Sequence, residues 1–160
     1  MDALVALAIS IAVLIALWTY IALGVAALPV WAGIVAWGCF FAAGGKTTGL
    51  TKTIASNLSG VFWAFVALYL SRRFGGSTAA ISVLVGLAAL CMVLQAKIAT
   101  LSFIPGAFLG AATAVSVAVG AQGVAHPWIK TIVAMVAGAV LGYLSEQLAG
   151  AIGRPRRAAA

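Results

Sequence analysis

Long apolar stretches alternate with short polar ones along the whole chain. Apolar runs over about Leu4–Leu23, Val30–Ala43, Thr53–Ser71, Thr78–Ala96, Ile104–Val119 and Ile129–Ala149 predict six helices. Several approach the ~20 residues a helix needs to cross a hydrocarbon core. The runs are continuously apolar rather than alternating, which argues against a barrel. Polar punctuation falls between them. Pro29 opens the second run, and "GGKTTGLTK" reads as a polar link before the third. Arg72, Arg73 and "GGS" end the third, Lys97 leads towards Pro105, and "GAQGVAHPW" precedes the sixth.

The polar positions inside the runs carry a second pattern. "KTIASNLSGVFWAFVALYLS" runs from Lys52 to Ser71, and "KTIVAMVAGAVLGYLS" from Lys130 to Ser145. Aligning Lys52-Thr53-Ile54 with Lys130-Thr131-Ile132 superposes Gly60 on Gly138 and Ala64 on Gly142. The terminal "YLS" of each then matches after a deletion of about one helical turn, which preserves a packing face. Pro29 opens the second run as Pro105 opens the fifth. The chain therefore reads as two halves of three spans, about 1–73 and 76–150. Three is odd, so related halves must lie inverted in the membrane, a plan common among transporters with sites at the repeat interface.

Composition strengthens the membrane reading. Hydrophobic residues make up 65% of the 160 and charged residues 7%, against about a quarter charged in soluble domains. The expected fold class is an all-α integral membrane protein with six transmembrane helices in two inverted three-helix repeats. Residues 1–153 form the membrane domain and 154–160 a short basic tail. "MDALVALAIS" lacks a basic n-region, so the first span is expected to be permanent. The net charge of +7 is spread singly and in pairs between spans, which sets orientation and gives no sign of nucleic-acid binding. Lys46, Lys52, Lys97, Arg154, Arg156 and Arg157 fall on the side of the termini, and Arg72, Arg73 and Lys130 on the other. That bias predicts cytoplasmic N- and C-termini. Arg154, Arg156 and Arg157 are also candidates for contact with anionic lipid.

Candidate chemistry is sparse. Cys39 and Cys91 lie in different spans without metal-ligand spacing, so neither a metal site nor a disulfide is expected. One His, one Asp and one Glu, far apart, supply no catalytic set, and no cofactor or enzymatic activity is expected. "GGKTTG" lacks the phosphate-loop spacing. Small residues form stripes: Ser56, Gly60, Ala64, Ala67 and Ser71 on the third span, and Ala134, Gly138, Gly142 and Ser145 on the sixth. Gly106, Gly110 and Ala114 continue the pattern on the fifth. Such stripes bring helix backbones together in lipid, within a bundle or between protomers. Asn57 is costly against lipid and must face protein or water. An interhelical hydrogen bond would satisfy it. So would a solute path, with Ser56, Ser59 and Gln95 as further lining. Glu146, near the end of the sixth span, suits a solvated or ion-paired role, and Lys97 a snorkelling one. His126 reads as a plain loop residue. Trp31, Trp63, Trp128, Tyr69 and Tyr143 suit interface belts or packing.

"SNLSGVFWAFVALYL", "CMVLQAK" and "LSFIPGAFLGAATA" together resemble the small bacterial inner-membrane proteins grouped as domain of unknown function 1097. The resemblance runs from about Leu14 to Gly150. It implies a six-helix protein of the bacterial inner membrane and carries no functional residue.

The expected function is a channel or facilitator for a small, mostly neutral solute, acting in the bilayer as a homo-oligomer. The competing expectation is a non-transporting scaffold or accessory subunit whose small-residue faces bind partner helices.

Overall fold

The computed structural model describes residues 2–120 and 125–153. The basic tail 154–160, with Arg154, Arg156 and Arg157, and positions 121–124 of the loop before His126 lie outside the described residues. Six helices follow one another: α1 (Ala3–Gly24), α2 (Val30–Ala42), α3 (Lys46–Arg73), α4 (Thr78–Leu94), α5 (Ile104–Val115) and α6 (Pro127–Ile152). Short 3₁₀ turns at Gln95–Lys97 and Ala99–Leu101 join α4 to α5, and a π-helical segment, Ser116–Gly120, extends α5.

Local chemistry sets the helix ends. The Asp2 carboxylate accepts from the Leu4 N–H at 2.9 Å to open α1. The Ser77 hydroxyl accepts from the Ala80 N–H at 3.2 Å to open α4. Each satisfies one of the donors a helix start leaves free. Pro105 and Pro127 stand in the first turns of α5 and α6, where the missing N–H carries no penalty.

The third helix begins earlier than the sequence pattern predicts. "GGKTTGLTK" is no link: from Lys46 onward it is helical. The turn is confined to residues 43–45, with Gly44 and Gly45 at φ 97° and 66°, a region glycine enters freely, and Lys46 following at φ 55°. The reason for the extra turns is length. The 28 residues of α3 extend about 42 Å, roughly 12 Å more than the ~30 Å hydrocarbon core. About eight residues must then lie among headgroups, and the Lys- and Thr-rich start of α3 suits that layer.

Helices α1, α3, α4 and α6 are long and apolar enough to cross a membrane. Helix α2 has 13 residues, about 20 Å, and α5 is short as well. The short helix is thus the middle one of each half. Helices α1 and α4 lie at the periphery, with most side chains facing outward.

Contacts fix the helix directions. At one end Gly153 lies beside Ala6, and the Ser10 hydroxyl donates to the Ser145 carbonyl at 2.9 Å, so α1 and α6 are antiparallel. The Lys46 N–H meets Glu146 while Phe65 packs edge-on against Trp128, so α3 and α6 are antiparallel too. Gly33 touches Gly138 and Phe40 touches Gly142, which makes α2 parallel to α6. Gly106 lies at Ser56 and Ala107 at Gly60, which makes α5 parallel to α3. The directions alternate along the chain, and both described termini share one end. Lys46, Lys52 and Lys97 belong to that end, and Arg72, Arg73 and Lys130 to the other.

The most extensive pairings are α3 with α5, α2 with α6, α1 with α6, and α3 with α4. Exchanging the halves turns α2 on α6 into α5 on α3, and α1 on α6 into α4 on α3. The antiparallel pair α3–α6 maps onto itself. This is the packing of two inverted three-helix repeats, each lending its short helix to the other's long one.

Small residues carry the crossings. A Cβ on Gly60 would overlap the Ala107 carbonyl, and one on Gly138 the Gly33 carbonyl. A Cβ on Gly110 would strike the Asn57 backbone, and one on Gly142 the Phe40 ring. A Cβ on Gly106 would run into the Phe103 ring. The stripes are therefore used inside the chain, where backbone contact is the main source of attraction between helices in lipid. Three large residues lock the same interfaces without a sequence signal. Trp18 lies over Gly33 and donates to the Val30 carbonyl at 2.9 Å. Trp37 donates to the Ser145 hydroxyl at 3.2 Å, and Phe40 is fully buried.

A buried amide-hydroxyl site on the third helix

Thr53, Ser56, Asn57 and Gly60 recur at helical spacing on α3, so they share one face. That face is turned inward: Thr53 and Ser56 are 0% exposed and Asn57 1%. The α5 backbone approaches it at Gly106 and Gly110, and the Cys39 thiol of α2 stands next to Asn57. Among the described residues, the Thr53 and Ser56 hydroxyls and both amide atoms of Asn57 have no hydrogen-bond partner of good geometry; the Cys39 thiol offers Asn57 no more than a weak contact. Each such atom costs about 1–3 kcal/mol. Their close grouping is unusual, since buried polar groups are almost always paired. Chemically the cluster offers donors and acceptors and no charge.

The sequence candidates divide here. Ser59 donates to the Ser56 carbonyl at 2.7 Å. Gln95 donates to the Ser59 hydroxyl at 2.7 Å, and Trp63 donates to the Gln95 side-chain oxygen at 3.0 Å. Ser59 and Gln95 thus form a relay that ties α3 to the end of α4. Ser56 and Asn57 stand on the adjoining face with hydrogen-bonding capacity unspent. Thr53 belongs with them and escapes a reading that centres on "SNLS". Its signal is its place one turn before Asn57.

The matching face of α6 has a different character. Thr131, Ala134 and Met135 occupy the positions of Thr53, Ser56 and Asn57 and are equally buried. There the Thr131 hydroxyl donates to the Pro127 carbonyl at 2.8 Å, and alanine and methionine fill the rest. The polar site belongs to one repeat only.

Two open depressions lie beside α3, on faces other than that of Asn57. One, of about 300 Å³, lies at the start of the helix between Thr47, Thr48, Thr51, Lys52 and Thr100. The other, of about 180 Å³, lies near its end between Phe65, Leu68, Tyr69, Arg72 and Trp128. The chain closes fully around Asn57.

The remaining polar candidates lie elsewhere. Glu146 reaches the start of α3, where its carboxylate accepts from the Lys46 N–H at 2.7 Å. It thereby caps a helix that has no side-chain cap of its own. His126 precedes α6 in a left-handed conformation, φ 52°. Cys39 and Cys91 are free thiols. Tyr143 packs on Phe40, and Tyr69 lies under the Arg73 guanidinium.

The architecture has relatives by sequence. The inner membrane protein YcdZ of Escherichia coli K12 is 33% identical over 144 residues, covering 89% of this chain and 83% of that protein. YcdZ of Salmonella typhimurium LT2 is 31% identical, with 89% and 85% covered. The uncharacterized protein YahC of Escherichia coli K12 is 31% identical over 156 residues, with 91% and 90% covered. No solved structure matches. The family described as "Protein of unknown function (DUF1097)" matches residues 8–150, and the chain belongs to that family.

Proposed function

We propose that this protein is a non-enzymatic channel or facilitator of the bacterial inner membrane for a small, uncharged, hydrogen-bonding solute. The observation that carries the reading is the set of orphaned polar atoms on Thr53, Ser56 and Asn57. Four unpaired atoms buried at a helix crossing lower stability, and such a cost persists where it serves a function. An amide and two hydroxyls replace the hydration of a water-sized or urea-sized molecule. They hold no charge that would favour an ion. The inverted repeats agree with a transport role, since such folds place their sites at the repeat interface. Passage requires the helices around Asn57 to part, because the site is closed on all sides. The kinship with inner membrane proteins supports the location, and the lysine bias supports cytoplasmic termini.

The scaffold reading rested on small-residue faces open to partners. Those of α3, α5 and α6 are occupied within the chain, so a homo-oligomer or a partner must use other, outward-facing surfaces. The test is solute flux into proteoliposomes, comparing the native chain with Asn57→Leu. Flux of a neutral solute that the variant loses while staying folded supports the channel. A folded native chain with no flux above empty liposomes rejects it.

A further inference from the structure

The two repeats differ on their flanks as well as at their centre. Where α1 packs against the core, Trp18 fills the cleft over Gly33. The corresponding cleft between α3, α4 and α5 holds no such plug. It is an apolar groove of about 500 Å³. Ala64, Ala67, Ala88, Ala89, Ala111 and Ala112 leave its walls low, and Met92, near one end, is the largest side chain from the inner face of α4. It sits at hydrocarbon depth, open at the rim of the bundle.

The groove leads to a positive end. Leu68 lines both the groove and the neighbouring cavity that includes Arg72. One residue on, the Arg73 guanidinium donates to the Tyr69 hydroxyl at 3.0 Å and lies 5.3 Å from the centre of its ring. The chain has two acidic residues in all, Asp2 and Glu146. Both belong to the opposite end of the bundle, by the position of Gly153 beside Ala6 and of Glu146 at Lys46. Arg72, Arg73 and Lys130 therefore share an end without any carboxylate side chain. Arg72 and Arg73 stand in the last turn of α3, and their charge holds that turn at the headgroup layer. An apolar groove at acyl-chain depth that ends under two arginines at phosphate depth matches one molecule in shape and charge.

We propose that the α3–α4–α5 groove binds an anionic phospholipid, with one acyl chain along the alanine-lined walls and the phosphate at Arg72 and Arg73. A partner helix fits less well. One turn of helix with side chains occupies roughly 400–600 Å³, so the groove would accommodate about a single turn of it. A flexible chain fills such a space without a matching surface beyond it. Arginine also binds phosphate with paired donors, and basic residues at the membrane surface draw anionic lipid. The site is separate from the Thr53–Asn57 cluster, and the proposal stands without the channel reading.

The test is lipid binding to the delipidated chain in neutral detergent. The probes are phosphatidylglycerol and phosphatidylcholine of identical chains, followed by native mass spectrometry and by thermal unfolding. The expected result is one tightly held phosphatidylglycerol per chain, at an affinity about tenfold or more above that for phosphatidylcholine. Arg72→Gln with Arg73→Gln removes the preference and leaves the weaker binding. Ala89→Phe fills the groove and abolishes both. Ala112→Phe does the same from the α5 wall and serves if Ala89→Phe fails to fold. Equal affinity for the two lipids in the native chain overturns the proposal, as does unchanged binding in the filled groove. Full competition by inorganic phosphate overturns it in favour of a free-anion site. A dimer that Ala89→Phe dissociates, with lipid binding unaffected, overturns it in favour of a second copy of this chain.

Discussion

Asn57 marks the point where this chain gives up stability. A leucine there would fill the space with apolar atoms and remove both orphaned amide atoms. Thr53→Val keeps the shape of its side chain and removes a third. Replacing unpaired buried polar groups with apolar ones of similar shape stabilises by about 1–2 kcal/mol. We expect Thr53→Val to raise the unfolding midpoint in detergent and to lower flux. A residue whose hydroxyl merely bonds another helix would behave in the opposite way, losing stability on replacement. Ser59→Ala supplies that contrast, because its hydroxyl is already bonded to Gln95 and the Ser56 carbonyl. It should lose about 1 kcal/mol, measured by the same unfolding experiment. "SNLS" as a sequence could not separate these roles, since the division depends on which side of α3 meets α5 and which meets α4.

Among elements, the α3–α5 and α6–α2 crossings are equivalent and should fail together. Gly60→Val and Gly138→Val each force a side chain into a backbone carbonyl of the facing helix. Overpacking of this kind costs about 1–3 kcal/mol or more. Both variants should lose the folded state at a lower temperature, by similar amounts, in a thermal unfolding assay. Gly86→Val on the outer face of α4, where a Cβ meets nothing, should leave the midpoint nearly unchanged. These crossings were legible beforehand because glycine and alanine at helical spacing stand out among larger apolar residues. Trp18, Trp37 and Phe40 were not. In lipid both the inside and the outside of a helix are apolar, so burial leaves no hydrophobic stripe to read. The start of α3 was missed for a related reason. Lysine, threonine and glycine look like a link when the reader expects helices to stop at the hydrocarbon edge. The Glu146 cap from 100 residues away supplies what the local sequence lacks. Glu146→Ala should speed amide exchange over Thr47–Thr51 and cost about 1 kcal/mol, with exchange in α4 unaffected.

For the whole molecule, the inverted repeat explains both the likeness and the difference of the two halves. Sequence alone paired Pro29 with Pro105 and Gly60 with Gly138, and the structure pairs their helices in the same way. Inversion followed from an odd number of spans, and it agrees with the exchangeable pairings of α2 on α6 with α5 on α3 and of α1 on α6 with α4 on α3. What sequence could not show is where the repeats diverge in space. Asn57 faces the core where Met135 faces it in the other half, and a groove lies where Trp18 closes its counterpart. A symmetric scaffold gains nothing from these departures. A channel gains a polar site in one half, held against a well-packed apolar half.

The direct test of that account is stopped-flow light scattering of proteoliposomes against gradients of water, glycerol, urea, short amides and short carboxylic acids. The account predicts selective passage of a small neutral solute by the native chain. It predicts loss of that passage in Asn57→Leu, with an unfolding midpoint at or above the native value. Equal flux in folded Asn57→Leu and native protein would contradict it, as would flux no greater than that of empty liposomes.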